Sequence, residues 1–115
     1  MDTQASLPER NIVVCGYSGV GAAMVNMLST PSIAQQLIDQ HVTYTVFDLD
    51  PNQVTQGVRE NKNVMYGDGS NAQVLESCRV NSPLLFIVSH NDEEVKFKMV
   101  ERIRSQFACV PIYTR

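Results

Sequence analysis

The chain has 115 residues, of which 43% are hydrophobic and 18% charged, and its formal net charge is −3. These values are typical of one globular domain, which at this length buries roughly two thirds of the surface that its unfolded form exposes. A mildly acidic chain has no broad attraction for nucleic acid or anionic lipid, and no apolar run approaches the roughly 20 residues of a membrane span, so neither nucleic-acid binding nor direct membrane insertion is expected.

In chain order, the first predicted element is a buried strand over residues 12–15, a β-branched run that ends at a glycine. A helix of small and apolar residues follows over Val20–Leu28. Proline disfavours helical geometry in the residue before it, so Pro31 interrupts this helix. A second helix is predicted over residues 32–40, with Ser32 as its cap.

Strands and helices continue to alternate toward the carboxyl end. The remaining predicted elements are a strand at 42–47, a helix opening at 51, a strand at 63–66, a helix at 70–78, a strand at 84–89, a helix at 92–107 and a strand at 109–113. Asp50 is placed to cap the third helix, with Pro51 at its first position. Ser70 and Gln73 have the spacing of a capping box. The helix at 92–107 carries apolar residues every four positions, which predicts that one face packs on the sheet.

This alternation predicts parallel strands joined by right-handed crossovers. Two such units wound outward from the first strand give a Rossmann-like, doubly wound α/β sheet, with five strands in the order 3-2-1-4-5 and helices on both faces. We assign residues 11–115 to this domain, one strand short of a full dinucleotide-binding fold, and residues 1–10 to a linker or an expression-derived end. A ligand crevice is expected above strands 1 and 4, where the strand order reverses.

Three cysteines without C-x-x-C spacing argue against a zinc site or a disulfide framework, and a reducing compartment is the simpler interpretation. Cys15 and Cys109 fall inside predicted strands, where a buried thiol behaves as a small hydrophobe. A redox-sensing role for Cys78 stays open.

The turn after the first strand carries the main binding signal, a G-x-S-x-x-G pattern. Its candidate ligand-binding residues are Gly16, Tyr17, Ser18, Gly19, Val20 and Gly21. Gly16 permits the tight turn and Gly21 lets the next helix pack on the sheet, so backbone N–H groups at the helix start can face a phosphate. Ser18 stands where glycine usually lets a pyrophosphate approach the backbone, and it either narrows the site or donates a hydrogen bond to phosphate. The alternative is a set of ordinary turn glycines.

Asp48 ends the second strand, where a carboxylate can accept hydrogen bonds from both ribose hydroxyls and would repel the 2′-phosphate of NADP. Its neighbour Leu49 belongs to the same candidate site. The other candidates follow strands 3, 4 and 5 at this sheet edge: Gly67, Asp68, Gly69, Ser89, His90 and Arg115. Asp68 either accepts from an adenine amino group or only shapes a turn. His90 is interpreted as an exposed loop residue rather than a catalyst, and Arg115 either reaches a phosphate or is a surface residue.

The sequence has no Tyr-x-x-x-Lys pair, and no lysine follows the glycine turn as a P-loop requires. We therefore predict a binding domain with no catalytic residue and no bound metal, rather than an enzyme. Two alternatives remain: the cofactor-binding half of an NAD-dependent dehydrogenase or epimerase, and an interaction module with an empty pocket.

With these residues placed, the chain resembles the RCK or KTN regulatory domain of potassium transport proteins, also called TrkA-N. The resemblance covers residues 11–115 and rests on residues 12–17, Gly21, and residues 47–51, 66–70 and 111–115. Within that family the chain is most similar to the soluble domain of KEA-type potassium/proton antiporters of chloroplasts. Residues 28–31 and 66–70 favour the thylakoid branch.

The resemblance implies a domain that binds ATP, ADP, AMP or NAD(H), forms a homodimer with a second RCK domain, and controls potassium/proton antiport by an attached transmembrane domain. It also implies a stromal location, tethered to the thylakoid membrane. Many relatives have glycine in place of Ser18 and a phosphate-contacting arginine in place of Gly19, so the preferred nucleotide stays open. The final strand and the dimer-forming segment of many relatives are missing from residues 11–115.

Overall fold

The computed structural model describes residues 9–114, so most of the predicted linker and Arg115 lie outside the described residues. The elements are β1 (Arg10–Cys15), α1 (Val20–Leu28), α2 (Pro31–Asp39), β2 (Val42–Asp48), α3 (Pro51–Arg59), β3 (Val64–Tyr66), α4 (Ala72–Ser77), β4 (Pro83–Val88), α5 (Glu93–Gln106) and β5 (Ile112–Thr114). All paired strands are parallel, in the order β3-β2-β1-β4-β5, which confirms the predicted topology. None of the helices in this range has the length and apolarity needed to cross a bilayer.

The helices cover both faces of the sheet, as predicted. The first three helices pack on one face, over an apolar cluster that includes Val14 and Val46, and the last two pack on the other, over a cluster that includes Val13 and Phe86. Because successive side chains of a strand point to opposite faces, β1 supplies both clusters alternately. This central position explains why its sequence is a continuous apolar run rather than an alternating one.

The sequence predicted N-caps for α2, α3 and α4, and the structure confirms the one for α3. Asp50 caps α3 as expected, with its Oδ1 accepting a hydrogen bond from the Asn52 N–H at 2.9 Å. The cap predicted for the second helix is wrong, because α2 begins at Pro31 and Thr30, not Ser32, is its N-cap. Proline suits the first helical position, where its missing N–H costs no hydrogen bond, so the helix starts one residue earlier than predicted.

The capping box predicted at Ser70 is also wrong. Helix α4 begins at Ala72, and the Oδ1 of Asn71 accepts hydrogen bonds from the N–H groups of Gln73 and Val74. Ser70 is fully buried in the preceding turn, where its hydroxyl and N–H both bind a carboxylate. Ser70 does not cap α4 because its hydroxyl and N–H are hydrogen-bonded to the Asp68 carboxylate.

The last strand is shorter than predicted, and the buried strand position expected for Cys109 is wrong. Cys109 is exposed in a turn that the Val110 N–H closes by bonding to the Phe107 carbonyl. Pro111 lacks an N–H and follows this turn, so regular pairing begins only at Ile112. Cys15, in contrast, is buried as expected.

Candidate functional site

A cleft of about 700 Å³ opens at the carboxyl edge of the sheet, among the loops that follow β1, β2 and β4 and the first residue after β3. It lies where the strand order reverses, which is where ligands bind in doubly wound sheets, and its volume suits a small molecule. Seven of the predicted site residues line it: Gly16, Ser18, Asp48, Leu49, Gly67, Ser89 and His90.

The glycine turn has a shape that side chains would destroy. A Cβ atom on Gly16 would lie 2.0 Å from the Ser89 carbonyl oxygen, and one on Gly21 would lie 2.0 Å from the Gly16 carbonyl oxygen. The turn and the start of α1 are therefore packed directly on backbone. Gly19 is the N-cap of α1 and provides no side-chain cap. The Gly21 N–H is bonded to the Ser18 carbonyl and to Ser89 Oγ, so among residues 9–114 the N–H groups of Val20 and Ala22 are the ones at the start of this helix left without a partner.

Ser89 holds this turn in place from the end of β4. Its Oγ accepts a hydrogen bond from the Gly21 N–H at 3.1 Å and lies 3.3 Å from the Ser18 carbonyl oxygen, to which it donates. The Ser89 N–H donates to the Cys15 carbonyl at 2.9 Å. Ser89 is buried, and the two hydrogen bonds of its hydroxyl fix the glycine turn against the end of β4.

Asp48 connects the end of β2 to the glycine turn. Its Oδ2 accepts a hydrogen bond from the Tyr17 N–H at 2.8 Å, and its Oδ1 accepts one from the Asp50 N–H at 2.8 Å. A carboxylate oxygen can accept two hydrogen bonds, so each oxygen keeps acceptor capacity for a ligand hydroxyl. Sequence reasoning placed Asp48 at the site but missed its bond to the turn.

Tyr17 contributes its backbone to the site and its side chain to the core. The ring is buried on the side of α3, next to Gly57, and the hydroxyl donates a hydrogen bond to a carboxylate oxygen of Glu60. Burial and the Glu60 carboxylate raise the pKa of Tyr17 to about 12. The same hydrogen bond lowers the pKa of the Glu60 carboxyl. This anchor fixes the turn residue whose N–H binds Asp48.

The polar side chains of the loop after β3 are hydrogen-bonded within the protein. Asp68 Oδ1 accepts from the Ser70 N–H at 2.9 Å and from the Ser70 hydroxyl at 2.6 Å, and its Oδ2 accepts from Arg102 Nη1 at 2.5 Å. A Cβ atom on Gly69 would lie 2.9 Å from the Cys15 sulfur. Asp68 and Gly69 therefore pack this loop against α5 and β1, and neither lines the cleft.

His90 lies on the cleft wall and is exposed to solvent. Its Nδ1 accepts a hydrogen bond from the Asp92 N–H at 3.1 Å, which leaves Nε2 as the ring atom that can contact a ligand. Val20 is half-buried at the first position of α1 and, like Gly19 and Gly21, supports the turn without lining the cleft.

The second wall of the cleft was missed by sequence reasoning. Val95 and Met99 of α5 form it, and Gln53 of α3 was missed as well, whereas Asn91 belongs to the loop after β4 that was expected to face the crevice. The four-residue spacing of apolar residues was interpreted as a face packed on the sheet, but Val95 is 37% exposed. The available signal was position, because the amino end of a helix that follows a parallel strand lies at the ligand-binding edge.

Comparison with known proteins relates the chain to one family, one curated relative and several solved structures. The TrkA-N domain family matches residues 12–115. The chloroplastic K(+) efflux antiporter 3 of Arabidopsis thaliana is 32% identical over 105 residues, which are 91% of this chain but only 13% of that protein. The TrkA-N domain of the inner membrane protein YbaL from Escherichia coli superimposes with a TM-score of 0.64 and 13% identity, over 91% of this chain and 71% of that one, a likeness that concerns the fold.

Proposed function

Since this chain belongs to the TrkA-N domain family, we propose that it is the regulatory, ligand-sensing domain of a potassium/proton antiporter. An adenine nucleotide in the cleft controls transport by a membrane domain of the same parent chain. The observation that carries the proposal is the hydrogen bond between the Asp48 carboxylate and the Tyr17 N–H. It joins Asp48, an acceptor for ribose hydroxyls, to the turn that leads into α1, and Gly16 and Ser18 of that turn line the same cleft.

The phosphate binds at the amino end of α1. The N–H groups of Val20 and Ala22 and the helix dipole favour an anion there, because the helix end carries about half a positive charge. Ser18 is exposed at this point, and its hydroxyl can donate a further hydrogen bond. The packing of Gly16 and Gly21 on backbone supports this assignment, since it brings the turn close to the sheet edge.

The ribose binds at Asp48, whose oxygens keep acceptor capacity beyond their two backbone bonds. The adenine then lies toward Leu49 and Gly67. A carboxylate at this position repels a 2′-phosphate, so NADP is disfavoured. We propose no catalytic step, because the site offers binding groups and the relative with 32% identity is named as a transporter.

The test is calorimetry with AMP, ADP, ATP, NADH and NADPH on the 115-residue chain and its Asp48→Asn variant. Asparagine keeps an oxygen acceptor but removes the charge, so we expect affinity to fall about tenfold or more. Asp39→Asn is the matched control, because Asp39 lies at the end of α2, next to the opposite edge of the sheet. Absence of binding by the wild type, or equal binding by Asp48→Asn, would refute the ribose assignment.

The regulatory part of the proposal needs the parent transporter. In vesicles that contain the full-length protein, nucleotide should change potassium/proton exchange, and Asp48→Asn should raise the nucleotide concentration that this response needs by about tenfold, whereas Asp39→Asn should leave it unchanged. Pairing with a second copy and a stromal, thylakoid-tethered location also belong to the proposal. The chloroplastic relative supports a plastid location, and light scattering with and without nucleotide tests the pairing.

A further inference from the structure

The cleft has an unusual charge for a site that would hold phosphates. Its ionisable lining side chains are Asp48, Asp50, His90 and the thiol of Cys15. Burial, with a smaller effect from the Asp68 charge, raises the pKa of that thiol to about 12, so it stays neutral at physiological pH. The two carboxylates therefore dominate the electrostatics of the walls.

The cationic side chains of α5, the helix beside the cleft, each have a partner elsewhere, and none of them lines the cleft. Lys96 pairs with Glu93 at 2.8 Å and Lys98 with Glu94 at 3.5 Å. Arg102 is held by Asp68, as described above, and Arg104 Nη1 donates to the Val110 carbonyl at 2.8 Å.

The other cations of residues 9–114 are remote from the cleft. They lie in the segments that lead into β1, β3 and β4, at the amino edge of the sheet, or at the carboxyl end of α3: Arg10, Arg59, Lys62 and Arg79. The amino ends of α3 and α5 also adjoin the cleft, but each is capped by an aspartate, Asp50 and Asp92. The start of α1 has no side-chain cap and is therefore the main source of positive potential in the described part of the cleft, with about half a charge.

We infer that this cleft selects adenine nucleotides by low phosphate charge, taking AMP or the pyrophosphate of NAD(H) in preference to metal-free ATP, and that Asp50 sets this selectivity. The inference rests on the proposed nucleotide function. AMP carries about two negative charges at neutral pH, and each further phosphate of ADP and ATP adds about one. One helix terminus offsets a single phosphate group, whereas additional charges meet two carboxylates.

Asp50 can be tested separately from ribose binding. Its Oδ1 caps α3 through the Asn52 N–H, and its side chain is exposed on the cleft wall beside Asp48. Asparagine caps helices as well as aspartate does, so Asp50→Asn removes one charge from the wall and preserves the fold. The carboxylate of Asp48 keeps its contacts in that variant.

The experiment measures dissociation constants of AMP, NADH and ATP by calorimetry, in EDTA and low salt, for the wild type, Asp50→Asn and Asp39→Asn. We expect the wild type to bind AMP and NADH more tightly than ATP. Asp50→Asn should narrow the ratio of ATP to AMP dissociation constants about threefold, and Asp39→Asn should leave it unchanged. Raising the salt concentration should also narrow the wild-type ratio, because salt screens repulsion between exposed charges.

Three results would overturn the inference. ATP binding as tightly as AMP, or a ratio that Asp50→Asn leaves unchanged, would each refute charge selection while leaving the nucleotide function standing. A preference for ATP that Arg115→Gln abolishes would refute it by assigning the missing positive charge to Arg115. If none of the nucleotides binds, the proposed function falls as well, so the two failures are distinguishable.

Discussion

The buried hydroxyl of Tyr17 makes a signed prediction about stability and pH. Tyr17→Phe keeps the ring on the α3 side of the core but removes the hydrogen bond to Glu60. Because Glu60 is exposed and water replaces the lost donor, the variant should lose about 1 kcal/mol of unfolding free energy at pH 7. At pH 7 the wild type is therefore expected to be more stable than Tyr17→Phe by this amount.

At high pH the order should reverse. The pKa of Tyr17 is raised from an ordinary value of 10.0 to about 12 in the folded chain, so above pH 10 the unfolded chain loses this proton while the folded chain keeps it. Stability that is present below pH 10 is therefore lost as pH rises toward 12, by about 2 kcal/mol at pH 11.5. Tyr17→Phe lacks this loss, so the two stability curves should cross near pH 11.

Urea unfolding followed by circular dichroism from pH 7 to 11.5 measures both curves, since the chain has no tryptophan for fluorescence. The buried thiol of Cys15 also destabilises the fold at high pH, but it does so equally in both proteins. Parallel curves would refute the reasoning, because they would mean that Tyr17 ionises as readily in the folded chain as in the unfolded one.

Two further predictions concern the glycine turn and the cysteines. Gly21→Ala should destabilise by about 3 kcal/mol, because its Cβ would lie 2.0 Å from a backbone oxygen, whereas Gly19→Ala has open space around it and should cost about 1–2 kcal/mol through backbone strain alone. Thermal unfolding compares the two, and equal losses would contradict the steric account. At pH 8 iodoacetamide should modify exposed Cys109 rapidly and Cys15 only after unfolding, because a pKa of about 12 leaves about 1,000-fold less thiolate than usual. Mass spectrometry of the modified peptides, with urea-unfolded protein as the control, measures this order, and fast modification of Cys15 in the folded chain would contradict it.

The sequence predicted the topology because its main signals are local and repeated. The apolar run of β1 and the alternation of strands with helices leave few parallel arrangements open. The cap at Asp50 was predictable because proline follows it directly. At α4 two residues that favour the N-cap position are adjacent, Ser70 and Asn71. Asn71 is the cap because the Asp68 carboxylate binds the hydroxyl and N–H of Ser70. Local sequence could not choose, since the deciding contact depends on how the turn folds.

The candidate site was predictable in its position and not in its internal contacts. Carboxyl ends of parallel strands meet at one edge, so Asp48 and the glycine turn had to be neighbours. The Tyr17–Asp48 bond and the Arg102–Asp68 pair join residues 31 and 34 positions apart, and their directions depend on side-chain packing. The exposure of Val95 was not predictable, because the apolar spacing of a helix face does not reveal where the sheet beneath it ends.

The hydrogen bonds around the cleft argue that the three loops behave as one preformed unit. Asp48 holds the Tyr17 N–H from β2, while Ser89 holds the Gly21 N–H and the Ser18 carbonyl from β4. A ligand that bridges α1 and Asp48 therefore finds its donors and acceptors already ordered, and it gains little from rearranging them. In a site of fixed shape, discrimination between ligands that share adenosine falls on what differs between them, which is phosphate charge. Under the proposed function, Asp48 binds the ribose and Asp50 does not, so these two wall carboxylates are the residues through which the nucleotide preference should be changed.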